Sequence, residues 1–127
     1  MDEQELKDRT KQFALRVIKL VEALPRTTAG QAIANQLVRS GTSVGANYRA
    51  ACRSRSKSEF VAKIGIVAEE ADESAFWMEL IMEAGLLRPE LILPLQREAN
   101  ELAAIFTASG RTARANNPQS TIKNPKC

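Results

Sequence analysis

The chain has 127 residues, 44% of them apolar, enough for one domain with a hydrophobic core and too apolar for a disordered chain. It contains no histidine, which removes the usual general base near neutral pH and the commonest metal ligand. The net charge of +3 is segregated into +6 over residues 1–65, −7 over 66–110 and +4 over 111–127, so opposite fields can meet within the molecule, between copies, or at a polyanion.

No apolar run approaches the ~20 residues of a membrane-spanning helix, so no membrane partner is expected. The charged start, MDEQELKDRT, lacks the apolar core of a secretory signal, and cytoplasmic residence is the expectation. Cys52 and Cys127 are then read as reduced thiols.

Strand alternation is absent and helical periodicity runs almost to residue 109. A first helix over about residues 4–24 puts Leu6, Phe13, Val17, Leu20, Val21 and Leu24 on one stripe, and Pro25 stops it. Thr28 with Gln31 reads as a capping box for a second helix carrying Ile33, Leu37, Val44, Tyr48 and Cys52 inward. Ser56 with Glu59 opens a third, with Phe60, Ile64, Val67, Ala71, Ala75, Met78 and Ile81 inward, and Gly85 closes it. Pro89 fits the first turn of a fourth, with Leu91, Leu95, Ala99, Leu102, Ile105 and Phe106 inward; Pro94 lies in an early turn or kinks it. Short connections force antiparallel neighbours, so the expected fold is all-α: an up-down-up-down four-helix bundle over 1–109. Residues 110–127 are expected to form a disordered basic tail.

Gly41 and Gly45 share one face of the second helix, where each costs roughly 1 kcal/mol relative to alanine. A small-residue packing seam would offset that cost; a kink or a glycine-permitted phosphate contact are the alternatives. Arg49, Arg53, Arg55 and Lys57 crowd the turn between helices two and three. They read either as a phosphate-contacting patch, extended by Arg39 and Lys63, or as solvated surface and ion pairs. Antiparallel pairing about residue 55 brings Arg39 level with Asp72, predicting an interhelical ion pair.

The third helix carries Glu69, Glu70, Asp72, Glu73, Glu79 and Glu83, but the usual carboxylate-bundle metal site also needs histidines, so no metal or cofactor is expected. Phe76, Trp77 and Leu80 lie off its inward stripe. They widen its apolar surface into a candidate oligomer interface, with monomer-core packing of Trp77 as the alternative.

These residues carry a family resemblance. Ser43-Val44-Gly45-Ala46-Asn47-Tyr48-Arg49 is followed by Arg55-Ser56-Lys57 and Glu59-Phe60. Lys63-Ile64-Gly65-Ile66-Val67, Glu70-Ala71-Asp72-Glu73-Ser74 and Trp77 complete the set. Over roughly residues 10–108 the chain resembles the bacterial four-helix-bundle proteins encoded by intervening sequences of large-subunit ribosomal RNA genes. Related to these is the accessory variability protein of diversity-generating retroelements. The resemblance implies a cytosolic helical bundle without catalytic residues, assembled as a homopentameric ring. It also implies nucleic-acid contact through Arg49, Arg53, Arg55 and Lys57. Ala50 departs from the glutamate common after Tyr-Arg in similar sequences, which leaves Arg49 and Arg53 open to an external anion or to solvent.

The resulting expectation is a non-enzymatic, self-assembling binding or adaptor module whose partners are further copies of itself, RNA or DNA, or a partner protein. The alternative is a purely structural homo-oligomer whose charge fields meet across subunit contacts. An enzyme built on the third-helix carboxylates is the third reading.

Overall fold

The computed structural model describes residues 1–115 as four helices: α1 (Glu3–Glu22), α2 (Thr28–Cys52), α3 (Lys57–Glu83) and α4 (Pro89–Ala115). Each helix packs along its sequence neighbours and α1 also meets α4, closing an antiparallel up-down-up-down bundle. The N-terminus of α1, the α2–α3 turn and the C-terminus of α4 therefore share one end.

Local chemistry sets the boundaries. Asp2 accepts from the Glu5 N–H and Glu5 reaches back to the Asp2 N–H, a reciprocal cap that starts α1 before residue 4. The cap of α2 is Thr27, whose hydroxyl accepts from the Gly30 N–H, one residue earlier than the Thr28–Gln31 reading. Ser56 caps α3 by accepting from the Glu59 N–H, as its spacing predicts, while the Glu59 carboxylate accepts from the Arg55 N–H. At the far end of α3, Gly85 adopts φ +69°. The Leu86 N–H reaches the Ile81 carbonyl and the Gly85 N–H the Met82 carbonyl, which satisfies two of the last-turn acceptors.

The core is one cluster threaded through all four helices, with Phe13, Leu37, Tyr48, Phe60, Met78 and Phe106 wholly enclosed. The Tyr48 and Phe106 rings meet at 5.2 Å between centroids, joining α2 to α4. Gly41 and Gly45 form the expected packing seam, and the helix they admit is α1: Val17 lies over Gly41 and Thr10 over Gly45. A buried Ser40–Ser74 hydrogen bond of 2.9 Å ties α2 to α3, and each hydroxyl also lies within hydrogen-bond distance of a carbonyl of its own helix, Leu37 at 3.3 Å and Glu70 at 2.9 Å.

The structure corrects three further expectations. The fourth helix does not end near 109 but continues to Ala115, with Gly110 and Ala113 buried. Gly110 lies against Ile64, and the Lys57 ammonium donates to the Arg114 carbonyl at 3.1 Å, so tertiary contacts carry the helix past its weak formers. The remainder of the predicted tail, residues 116–127, lies outside the described residues. Leu91 is 51% exposed and Ile92 is buried in its place, because the inward stripe of α4 runs through 92, 95, 99, 102 and 106. Pro94 sits inside the helix at an exposed position, where the Glu90 carbonyl that loses its donor can turn to water.

The third correction concerns Arg39. It bonds not Asp72 but Glu70 and Glu73, with Nη1 3.4 Å from Glu70 Oε1 and Nη2 2.5 Å from Glu73 Oε2. Residues 70 and 73 lie one turn apart on the edge of α3 that faces α2, whereas Asp72 is rotated towards α4 and lines a groove with Glu69, Ala104 and Arg111.

Candidate functional site

The α2–α3 turn presents the four predicted cations in unequal ways. Arg49 projects from the last turn of α2, Arg53 is its C-terminal cap residue, and Arg55 lies in the turn; all three are exposed. Among the described residues no carboxylate pairs with the side chain of any of them. Lys57 is half-buried and spends one N–H on the C-terminal carbonyl of α4, so it fastens the bundle end as well as adding charge. Of the two proposed extensions, Arg39 is occupied by Glu70 and Glu73, and Lys63 is half-buried on α3.

Folding adds cations that sequence proximity does not reveal. Lys7 and Lys11, one turn apart on α1, line a groove with Arg49 across a floor of Thr10, Ala14, Gly45 and Ala46. The groove is shallow because the α1–α2 seam is built of small side chains. Its volume is about 190 Å³. Arg114 joins the same end through the extension of α4, whereas Arg111 lines the groove with Glu69 and Asp72. The signal for Lys7 and Lys11 is present in the sequence as an i, i+4 pair, but it acquires meaning only once the up-down order puts the start of α1 beside the end of α2.

The carboxylates at this end are largely engaged. Glu3 holds the Lys7 ammonium at 2.8 Å, Asp2 and Glu5 cap α1, Asp8 accepts from Gln4, and Glu59 accepts from the Arg55 backbone. Arg49 and Arg114 also complement the negative ends of the α2 and α4 dipoles, which is a structural reason for a cation there. That reason does not extend to Arg55, which precedes the N-terminus of α3. The surface is a cluster of exposed guanidinium groups with spare donors, suited to phosphate oxygens.

The predicted apolar interface divides. Phe76 is 48% exposed, whereas Trp77 and Leu80 are half-buried. Trp77 packs against the core of its own chain, meets Phe76 edge-on at 5.1 Å, and donates its indole N–H to Glu73 at 3.0 Å. This hydrogen bond, and then the Arg39 pairing, hold the Glu73 carboxyl below its ordinary range. A depressed carboxylate contributes stability above its unfolded pKa that is lost as the pH falls through the folded one. Glu73→Gln is therefore expected to flatten the acid limb of a stability–pH profile below about pH 4.5. Urea titrations across that range check it, and an unchanged slope would mean that the Trp77–Glu73–Arg39 chain is not linked to folding.

Among the described residues, no group of three or more carboxylates or cysteines is placed to hold a metal ion. None of their helices is long and apolar enough to cross a membrane.

No curated relative matches the chain. Among solved structures, it is similar to a protein of unknown function from the S23 ribosomal protein family of Bacteroides thetaiotaomicron. The two are 29% identical with a TM-score of 0.76, over 81% of this chain and 95% of that one. The model of the 23S rRNA-intervening sequence proteins matches residues 2–108, which takes in all of α1, α2 and α3 and most of α4. The chain belongs to the 23S rRNA-intervening sequence protein family.

Proposed function

We propose that this chain is a non-enzymatic, cytoplasmic binding module that contacts the phosphate backbone of nucleic acid through the basic end of the bundle. The observation that supports this reading most is the exposure of Arg49, Arg53 and Arg55 without a carboxylate partner among the described residues. The rings that flank them in the chain, Tyr48 and Phe60, are wholly buried, so contact there rests on charge and not on base stacking.

Three phosphate contacts imply a slope of about −3 in a plot of log affinity against log salt for duplex DNA. Fluorescence anisotropy with a labelled duplex between about 50 and about 200 mM salt measures it. Arg53→Glu with Arg55→Glu should weaken binding at least about tenfold and flatten the slope by about two. Salt-independent binding, or a double variant that binds like wild type, would remove the reading.

A second reading is supported by the half-exposed Phe76 ring: a homo-oligomer, assembled as a ring of five and held by the α3 face. If the two arginine reversals dissociate an oligomer seen by light scattering while duplex affinity stays constant, the purely structural reading replaces the first.

A further inference from the structure

The opposite end of the bundle carries a different surface. The C-terminal half of α1 and the first turns of α4 part to leave a groove of about 300 Å³ floored by Leu20, Ala23, Pro94 and Leu95. Leu91 belongs both to this groove and to a second hollow formed by Met82, Leu86 and Leu87 at the α3–α4 turn, so the two make one continuous apolar track. Leu91 is 51% exposed although leucine normally buries most of its surface, and it stands at the middle of the track. Every ionised side chain lining either hollow is a cation: Arg16, Lys19 and Arg88. Glu22 and Glu90 are near in sequence, yet neither lines the track.

An apolar channel between two helices with a basic rim is complementary to an amphipathic helix whose apolar stripe is flanked by carboxylates. We infer that this track is the docking site for an acidic amphipathic helix of a partner protein. Leu91, Leu20 and Leu95 receive its apolar residues, and Arg16, Lys19 and Arg88 receive its carboxylates. The site lies at the far end of the bundle from Arg49, Arg53 and Arg55, so both ends can be engaged at once and each can be tested without the other.

The probe is a fluorescein-labelled synthetic helix with leucines at i, i+3, i+4 and i+7 and glutamates on either side, titrated with the full chain. A second peptide replaces every glutamate with lysine. The acidic peptide is expected to bind at least about tenfold more tightly than the basic one. Leu91→Asp, at an exposed position, should abolish most of that binding, as should Arg16→Glu with Lys19→Glu. Ile66→Asp, on the exposed face of α3, should leave it intact; circular dichroism confirms that each variant folds. The inference is overturned if neither peptide binds, if both bind equally, or if Leu91→Asp binds like wild type. It is also overturned if Leu91→Asp lowers the mass measured by light scattering, which would make a second copy of this chain the occupant.

Discussion

Replacing Gly41 with alanine is expected to destabilise the protein by about 2 kcal/mol, although alanine is the better helix former by roughly 1 kcal/mol. A methyl group at Gly41 would stand 2.8 Å from both methyl carbons of Val17 and 3.0 Å from its Cβ. Val17 is wholly buried, and a β-branched side chain in a helix has little freedom to rotate away, so α1 and α2 must separate. The midpoint of thermal unfolding should fall by roughly 5–10 °C. Gly65→Ala is the control. It lies on the exposed side of α3 with nothing within 4 Å of an added methyl, and should raise stability by about 0.5–1 kcal/mol. The seam also predicts coupling: in a Val17→Ala, Gly41→Ala double variant the new methyl occupies part of the space vacated by valine. The combined loss should then be smaller than the sum by about 1 kcal/mol. Additive losses, or a stabilised Gly41→Ala, would show that the close approach of α1 is not what requires glycine there.

The second large effect is expected at Arg9. Its guanidinium makes a two-point contact with Glu98, Nε to Oε2 at 2.7 Å and Nη2 to Oε1 at 2.8 Å, and Nη2 also reaches Glu101 at 2.7 Å. This clasp joins α1 to α4 along an edge where the two helices otherwise touch sparingly, and the side chains of Arg9 and Glu98 are only 23% and 16% exposed. Both carboxylates hold the guanidinium well above its usual pKa, so the pairing survives any accessible alkaline pH.

Arg9→Met keeps most of the packing but leaves Glu98 poorly solvated beside Glu101, a like charge one turn away. Removing one partner from a fully buried pair costs about 3–5 kcal/mol, and this partly exposed case should cost about 2 kcal/mol. Arg9→Met with Glu98→Met removes the orphaned charge and should recover at least half of the loss in urea titrations. A single variant as stable as wild type would mean that the clasp is an ordinary surface ion pair. Hydrogen exchange should localise the change to the N-terminal half of α1, which carries Arg9.

Much of the candidate site was legible as composition. Arg49, Arg53, Arg55 and Lys57 fall within nine consecutive residues, so any helix–turn–helix reading puts them at one end of a hairpin. Their company was not legible. Lys7 and Lys11 lie some forty residues away, and the contribution of Arg114 depended on α4 continuing past Gly110, a residue that local propensity marks as a stop. The Ile64 contact beneath Gly110 overrides that propensity, and only packing could supply it. Lys57 shows the reverse: read as a free surface charge, it is in part a cap for a helix more than fifty residues away.

The apolar surfaces were misjudged for a related reason. On α4 the predicted stripe included Leu91, and the observed one passes through Ile92, a shift of one residue or about 100° of rotation. With three leucines, an isoleucine and a proline over 91–95, several rotations would bury comparable apolar area, so period alone leaves the phase open. The phase adopted puts Leu91 on the surface and creates the track beside α1. Arg39 repeats the lesson: register along the helices was read correctly to within two residues, but rotation of α3 chose Glu70 and Glu73 over Asp72.

By itself, then, the order of residues determined four helices, both ends of α3, their antiparallel succession and most of the stripes that meet in the core. Those features arise from apolar period, from side chains bonding backbone groups three residues away, and from connections too short to do anything but reverse the chain. Only the tertiary structure decided how far each helix is rotated about its axis, and with it which acids take Arg39, which cations gather beside Arg49, and where Leu91 faces. Rotation is set by the simultaneous fit of neighbouring helices, as Gly41 under Val17 and Ser40 against Ser74 show, and no single segment contains that information.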